Sequence, residues 1–161
     1  MNLHAYQGDV GTEPTEGRDF AYGRTFRFVV YGEAKPQGSK RAWFNQKSQR
    51  VQMLENSNVG DWRKRVAQAA GEQCGAAIAG QLIEGPCALS IVVYRPRPKS
   101  KKRARFAATA PDASKLLRGI EDALTGILYV DDSRIVDDHI RKLYGEPARA
   151  EVVLREILET R

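Results

Sequence analysis

The sequence predicts a single α+β domain in which helices pack over a mixed β-sheet. Three observations support this prediction. The chain has 161 residues, which is enough for one domain with a hydrophobic core and short for two. Residues 112–124 place apolar side chains at helical spacing. Residues 87–94 form an apolar run rich in β-branched residues, as buried strands do.

The folded domain is predicted to span residues 24–161. Residues 1–23 mix glycine, acidic residues and proline without periodicity, so we expect a flexible arm. Residues 25–31 then alternate Phe26, Phe28 and Val30 with other side chains, which predicts the first strand.

Residues 34–51 combine cations with aromatic side chains. This mixture suits phosphate contacts and base stacking at an opened DNA strand. An ordinary hairpin whose aromatic side chains cover the core explains the pattern equally well, so both interpretations remain open. The residues concerned are Lys35, Lys40, Arg41, Trp43, Phe44, Lys47 and Arg50.

The middle of the chain predicts one helix followed by one central strand. Residues 80–86 break the chain, and residues 87–94 then form the strand, which we expect at the centre of the sheet. The helix covers residues 61–79 and is predicted to pack through Trp62, Val66, Ala69, Ala70, Gln73 and Ala77.

Residues 95–105, the basic segment, have seven positive side chains in eleven positions and no acidic one. A run of like charge is commonly a solvated loop, but this one precedes Asp112 closely and would bring phosphate backbone toward it. Phe106, at its end, either wedges into DNA or anchors the segment to the core. With the overall net charge of +6, the pattern favours nucleic acid as partner. The residues expected to contact DNA are Lys35, Lys40, Arg41, Lys99, Lys101, Lys102, Arg103, Arg105 and Lys115.

Residues 111–138 carry the candidate chemistry. Asp112 is placed to cap a helix that ends near Leu124, and Thr125 and Gly126 terminate it. One face of this helix is predicted to be buried through Leu116, Ile120, Ala123 and Leu124. The opposite face is polar and carries Ser114, Arg118, Glu121 and Asp122.

Asp131 and Asp132 follow the helix after a short apolar run. If that connection is a tight turn, Asp132 returns toward the start of the helix, and its carboxylate could share a magnesium ion with Asp112. Magnesium binds oxygen ligands and keeps several waters, so two or three carboxylates suffice, and it would polarise a phosphate and generate hydroxide. The alternative is that Asp112 only caps the helix and that Asp131 and Asp132 are solvated turn residues.

Other kinds of site have no support in the sequence. Cys74, Cys87, His4 and His139 are too isolated for zinc, so any metal should have oxygen ligands. The sequence contains no nucleotide-binding glycine loop and no serine or cysteine nucleophile motif. It also contains no apolar run near the ~20 residues that span a membrane, and no signal peptide is visible, so we expect a cytoplasmic protein.

The end of the chain predicts two further strands joined by a turn at residues 145–147. Residues 134–144 form the first, and their poor alternation between Asp137 and Lys142 indicates an edge strand or a dimer contact. Residues 149–158 form the second, with Val152, Leu154 and Ile157 available for the core.

The motif Pro-Asp-x-x-Lys-Leu-x-Arg from Pro111, then Asp-Ala-Leu-Thr, then Val-Asp-Asp-Ser-x-Ile-Val-Asp resembles the RusA family of Holliday junction resolvases, which phages and prophages commonly encode. The resemblance is good over residues 111–137 and looser over residues 26–155. It implies a homodimer that needs magnesium, for which manganese is a possible substitute, and that cuts four-way DNA junctions. It also implies that the loop near residues 36–41 faces the active site.

Carried over residue by residue, the resemblance implies that Asp112, Asp131 and Asp132 bind the metal and that Asp112, Asp132 and Arg118 serve catalysis. Three positions depart from the family pattern: Ser114 replaces an aspartate, Lys115 an asparagine and Arg118 a lysine. Arg118 could stabilise a phosphorane-like transition state but would not release a proton as lysine can; alternatively it pairs with Asp122.

The missing aspartate leaves three hypotheses open. Glu121 lies roughly 10 Å along the helix from Ser114, which is too far to replace that ligand, and Asp122 is further still, so both are assigned supporting roles. The chain is therefore predicted to be a magnesium-dependent junction resolvase acting in DNA recombination and repair. The alternatives are a junction-binding protein that cuts weakly or not at all, and a sequence-independent nucleic-acid-binding module.

Overall fold

The computed structural model describes residues 20–37, 41–45, 50–54 and 57–159. Within these residues the main sheet has the order β1-β6-β4-β5, in which β4 and β5 are parallel and the other neighbours are antiparallel. The predicted α+β domain with a mixed sheet is confirmed. The elements in chain order are β1 (Phe20–Tyr31), β2 (Arg41–Asn45), β3 (Arg50–Leu54), α1 (Ser57–Ile78), β4 (Cys87–Arg95), α2 (Ala113–Leu124), β5 (Ile135–Tyr144) and β6 (Arg149–Glu159).

Strand β1 begins at Phe20, so the predicted arm is wrong for residues 20–23. These residues pair with the end of β6, where Tyr22 lies opposite Ile157. The Tyr22 ring packs edge to face with Phe20, with centroids 5.8 Å apart, and the Arg155 guanidinium lies 5.1 Å from its centroid. A register shift between Tyr22 and Thr25 interrupts the alternation that would have revealed this part of the strand. Residues 1–19 of the predicted arm lie outside the described residues.

Strands β2 and β3 form an antiparallel hairpin within the segment of cations and aromatic residues. The backbone is therefore a hairpin, which is compatible with both interpretations of this segment, and the choice between them stays open. The side chains of Arg41, Trp43 and Phe44, and the residues Lys40 and Lys47, lie outside the part of the chain that the structure describes.

Helices α1 and α2 cover one face of the main sheet and share a core with it. The predicted stripe on α2 is confirmed, since Leu116, Ile120 and Leu124 are fully buried. In α1 the buried face continues through Cys74 and Ile78, so the predicted positions Gln73 and Ala77 are wrong.

Gln73 instead serves the open edge of the sheet. Its side chain accepts a hydrogen bond from the Val29 N–H at 3.0 Å and donates one to the Val29 carbonyl at 2.9 Å. The Gln73 side chain thus pairs with the Val29 N–H and carbonyl, which face away from the sheet because β1 is its outer strand.

Strand β4 is central and β5 is an edge strand, as predicted. The chain after the basic segment returns to the end of β5, where the Tyr144 N–H donates to the Arg105 carbonyl and the Ala107 N–H to the Lys142 carbonyl. This contact brings the basic segment beside the start of α2. Among the described residues, no helix is long and apolar enough to cross a membrane.

Candidate active site

The amino-terminal end of α2 presents Asp112 to solvent. Asp112 occupies the cap position, yet its side chain makes no capping hydrogen bond, and the interpretation that it only caps the helix is not supported. Its carboxylate is 67% exposed and lies 3.5 Å from the Lys115 ammonium. Ser114, one residue into the helix, is also exposed. Asp112 is therefore available to a ligand at this end.

Two cations fix the turn that leads into Asp112. The Lys142 ammonium donates to the carbonyls of Thr109 and Pro111, at 2.7 Å each. The Arg95 guanidinium donates to the Ala110 carbonyl between them. Backbone carbonyls that would otherwise face solvent are thus held by charge-assisted hydrogen bonds, which are stronger than neutral ones.

The sequence did not single out Lys142 or Arg95 for this role. Arg95 was one of several cations in the basic segment, and Lys142 lay in a strand whose alternation was poor. The signal that could have found Lys142 is that poor alternation, because a polar side chain at the end of an edge strand needs a partner beyond the sheet.

The loop of residues 33–37 packs against α2. The Gln37 N–H donates to the Lys115 carbonyl at 2.9 Å, and a Cβ added at Gly119 would lie 3.3 Å from the Lys35 carbonyl oxygen. The Lys35 ammonium pairs with Glu33 at 3.0 Å, and this hydrogen bond, followed by the bond from Arg95, lowers the pKa of the Glu33 carboxyl against the opposing effect of burial. Of the loop expected from the family resemblance at residues 36–41, Pro36 and Gln37 thus lie beside α2, and residues 38–40 lie outside the described residues.

Asp132 lies at the opposite end of α2. The chain turns back directly after the helix, where the Gly126 N–H donates to the Tyr129 carbonyl at 2.8 Å. Tyr129 is fully buried, and its hydroxyl donates to the Glu121 carbonyl at 2.7 Å. This anchored turn keeps Asp132 close to Glu121, so the expected return of Asp132 toward the start of the helix is wrong.

Glu121 is the half-buried member of an acidic cluster at this end of α2. Burial raises the pKa of its carboxyl, and the neighbouring carboxylates Asp138, Asp132 and Asp122 raise it further. Arg118 opposes these effects. The carboxylates of Asp122, Asp132 and Asp138 are thus near enough to Glu121 to act on its charge.

Asp131 and Asp132 differ in their contacts. The Asp131 carboxylate accepts a hydrogen bond from the Ser133 N–H at 2.9 Å, and hydrogen bonding by Ser133 lowers its pKa. This is the behaviour expected of a turn residue. Asp132 is exposed, and its backbone carbonyl accepts a hydrogen bond from the Ile135 N–H. Its carboxylate has no hydrogen bond or ion pair within the described residues. Of the two, Asp132 is the more available to a ligand.

Asp122 pairs with Arg63 of α1 rather than with Arg118. The side chains of both partners are 27% exposed, so the pair lies partly buried between the two helices. The supporting role predicted for Asp122 is explained by this contact, and the predicted alternative for Arg118 is wrong. Arg118 is exposed on α2, where its charge acts on Glu121.

The residues predicted to bind magnesium have suitable chemistry but are separated within one chain. Asp112, Asp131 and Asp132 offer the oxygen ligands that magnesium prefers. However, about 13 Å of helix separates Asp112 from Glu121, the neighbour of Asp132, at 1.5 Å per residue. In the described part of the chain, no three His, Cys, Asp or Glu side chains are grouped so that they could hold a metal ion. Their assignment as metal ligands stays a prediction.

The basic segment is exposed and locally ordered. Residues 99–101 form a short 3-10 turn, and the Arg97 guanidinium donates to the Lys102 carbonyl at 2.6 Å. Phe106 is 58% exposed, so the prediction that it anchors the segment in the core is wrong. The cations lining the open concave side of this turn are Lys99, Lys101, Lys102 and Arg103.

Comparisons with known proteins agree with the sequence resemblance. The family model described as "Endodeoxyribonuclease RusA" matches residues 33–155. This range starts at the loop that packs on α2, contains both ends of α2 and extends into β6. The chain is also 34% identical over 142 residues to the "Uncharacterized protein YqaN" of Bacillus subtilis (strain 168), covering 81% of this chain and 96% of that protein.

Proposed function

This chain belongs to the RusA family of endodeoxyribonucleases, and from this membership we propose that it resolves four-way DNA junctions by paired phosphodiester hydrolysis, in the recombination and repair of bacterial or phage DNA in the cytoplasm. The family match covers the loop at residues 33–37, α2 and the strands that hold it.

The observation that carries the proposal is the surface around Asp112. An exposed carboxylate stands at the start of α2, and the basic segment returns to the sheet at Arg105, seven residues before it. Cationic side chains would hold the phosphate backbone beside the carboxylate, since phosphate contacts fix the register of a nucleic acid on a protein. The proposed contacts are made by Lys35, Lys40, Arg41, Lys99, Lys101, Lys102, Arg103, Arg105 and Lys115.

Catalysis is assigned to Asp112, Asp132 and Arg118. Arg118 is exposed on α2 and has no carboxylate partner in an ion pair among the described residues, so its guanidinium is free to meet the charge that develops on a phosphate. A cation positioned in this way stabilises the transition state of phosphodiester hydrolysis. Lys142 and Arg95 have a positioning role, because they fix the backbone that carries Asp112.

We propose that magnesium, or manganese in its place, is bound by Asp112, Asp131 and Asp132. When bound, the ion would supply Lewis-acid activation of the phosphate and of a water. Because one chain holds Asp112 and Asp132 at opposite ends of α2, the assignment applies to the assembled protein on DNA, and it is in that state that it must be tested.

We propose that the assembled protein is a homodimer. A four-way junction has approximate two-fold symmetry, and a symmetric dimer presents two equivalent sites to two opposed strands. The outer edge of β5 is a suitable contact, because Val136 is 64% exposed there and the segment at residues 105–107 covers only the far end of the strand.

The experiment is cleavage of an end-labelled four-way junction and of a matched linear duplex, with magnesium and with EDTA. We expect paired, symmetric nicks in the junction only when magnesium is present, and little cleavage of the duplex. Sedimentation of the protein with and without junction measures the dimer. Equal cleavage of duplex and junction would contradict the proposal.

A junction-binding protein with weak or no cleavage is the second candidate. The observation favouring it is that Ser114 replaces a family aspartate while no group of three acidic ligands is formed in the described residues. Ser114→Asp separates the two: cleavage rises if the serine is a defect, and stays the same or falls if the site is built around serine. Tight junction binding without nicks supports this candidate, whereas similar affinity for duplex and junction supports a general nucleic-acid-binding module.

A further inference from the structure

Phe106 is an exposed aromatic side chain that the fold does not use. It is 58% exposed, while the next residue, Ala107, is 1% exposed and belongs to the buried part of the sheet edge. Exposing an aromatic ring of this size forgoes the burial that normally places phenylalanine in a core. The ring is therefore available to a binding partner.

The backbone on both sides of Phe106 is fixed. The Ala107 N–H donates to the Lys142 carbonyl at 3.1 Å, and the Arg105 carbonyl accepts from the Tyr144 N–H at 2.9 Å. Phe106 itself forms an antiparallel bridge with Leu143. Because these hydrogen bonds hold the residue against β5, the ring projects from an ordered support and its position on the surface is defined.

The same strand fixes Phe106 relative to Asp112. The Lys142 carbonyl accepts the hydrogen bond from Ala107, and the Lys142 side chain holds the carbonyls of Thr109 and Pro111 immediately before Asp112. Lys142 thus contacts both the backbone beside Phe106 and the backbone before Asp112. A partner that extends from the ring toward the start of α2 would reach Asp112.

We propose that Phe106 stacks on a nucleobase at the branch point of DNA and thereby sets the preference for branched over linear substrates. The inference rests on the proposed function and assigns it a specificity-determining residue. Aromatic side chains stack on any unpaired base, whereas the base faces inside a continuous duplex are covered by their neighbours.

The charge around Phe106 favours a nucleic acid over a protein or a second copy of this chain. The Arg105 guanidinium lies 5.8 Å from the ring centroid, and the basic segment contributes no acidic side chain next to it. A planar apolar ring beside clustered cations complements a partner that offers a planar apolar base and a phosphate. A second copy would bring the same positive segment against itself.

The test measures binding in EDTA, so that cleavage does not enter. Affinities of the wild-type chain, Phe106→Ala and Phe106→Trp are determined for a four-way junction, a linear duplex and a single strand. We expect Phe106→Ala to lose about tenfold in junction affinity, in the range that one base stack supplies, with duplex affinity unchanged within about twofold. Phe106→Trp should restore junction binding, since it keeps a stacking surface.

Leu158→Ala is the matched control. Leu158 is 48% exposed but lies at the opposite end of the sheet, where it pairs with Ala21. Leu158→Ala should leave the affinities for junction, duplex and single strand unchanged. An equal loss for Phe106→Ala on duplex, junction and single strand would overturn the inference, as would no loss at all, or an equal loss for Leu158→Ala.

A fluorescent base locates the contact. With 2-aminopurine at the branch point, binding of the wild-type chain should change the fluorescence, binding of Phe106→Ala should not, and 2-aminopurine placed within an arm should respond to neither. If the wild-type chain prefers the junction but the branch-point signal is the same with Phe106→Ala, the inference fails and the proposed function stands. If the wild-type chain shows no preference for the junction, both fail.

Discussion

The two ends of α2 differ in charge and in how they are held. At the amino-terminal end, cations from β4 and β5 hold the backbone before Asp112, and the Asp112 carboxylate is exposed. At the carboxyl-terminal end, carboxylates gather around the half-buried Glu121, and one of them is neutralised by Arg63. The amino-terminal end therefore positions the Asp112 carboxylate. The carboxyl-terminal end accumulates negative charge, which a bound cation would neutralise.

The difference teaches that the two acidic ends of this helix are not equivalent candidates for a metal. Asp112 lies in a positive environment that attracts phosphate, whereas Asp132 lies in a negative environment that attracts cations. Each of the following predictions tests one end against the other, beginning with the largest expected effect.

Lys142→Met should reduce junction cleavage, because it disturbs the amino-terminal end of α2. It removes the two hydrogen bonds to the carbonyls of Thr109 and Pro111 and leaves the turn before Asp112 free to shift. Because a displacement of about 1 Å can cost about 100-fold in rate, we expect junction cleavage to fall by roughly 10- to 100-fold. Single-turnover cleavage at saturating protein measures it. Lys64→Met, which removes an exposed charge on α1, is the control, and an equal loss there would refute the positioning role.

Asp122→Asn should destabilise the fold at the carboxyl-terminal end. It removes a partly buried ion pair between α1 and α2, and hydrogen bonds to charged groups contribute about 1.5 to 3 kcal/mol, less where solvent reaches them. We expect a loss of about 1 to 2 kcal/mol in the free energy of unfolding, measured with urea. Asp132→Asn makes no such contact and should change stability by less than about 0.5 kcal/mol; equal losses would contradict this account.

Glu121→Gln should stabilise the protein at neutral pH. Because burial and neighbouring carboxylates raise the folded-state pKa of Glu121, the protonated carboxyl is favoured in the folded state. Its contribution to stability is fully present below the unfolded pKa of about 4.3 and is lost as pH rises through the higher folded pKa. Glutamine mimics the protonated form at all pH values. Urea unfolding in EDTA should therefore show the variant ahead of wild type at pH 7, with the gap closing toward pH 4; a gap independent of pH would contradict the assignment.

Lys115→Ala should have the smallest effect on stability. Its ion pair with Asp112 is exposed, with side chains 50% and 67% accessible, and exposed pairs contribute about 0 to 1 kcal/mol. The free energy of unfolding should change by less than about 0.5 kcal/mol. A larger change would show that Asp112 is held in place by Lys115 and is less available to a ligand than proposed.

The elements of the fold were predictable because their signals are local. The apolar stripe through Leu116, Ile120 and Leu124 and the run from Cys87 to Tyr94 depend on spacing along the chain, and both predictions are confirmed. The start of β1 was missed because a register shift breaks its alternation near Tyr22.

The assembly of the site was less predictable because it depends on contacts distant in sequence. The sequence identified Asp112 and Asp132 as candidates, but the destination of Asp132 is fixed by the burial of Tyr129 and its hydrogen bond to Glu121. The pairing of Asp122 with Arg63 likewise required the packing of α1 on α2. Spacing along one helix could suggest Arg118 as the partner but could not exclude a residue from another helix.

The most direct test of the account is the cleavage rate of a four-way junction by Asp112→Asn and Asp132→Asn, measured beside wild type and beside Glu72→Gln, a control at an exposed acidic residue of α1. If both ends of α2 serve one magnesium-dependent reaction, the first two variants should each lose more than about 100-fold in rate while still binding the junction, and Glu72→Gln should cut at the wild-type rate. Wild-type cleavage by Asp132→Asn would contradict the account, because the acidic end of α2 would then have no part in the chemistry.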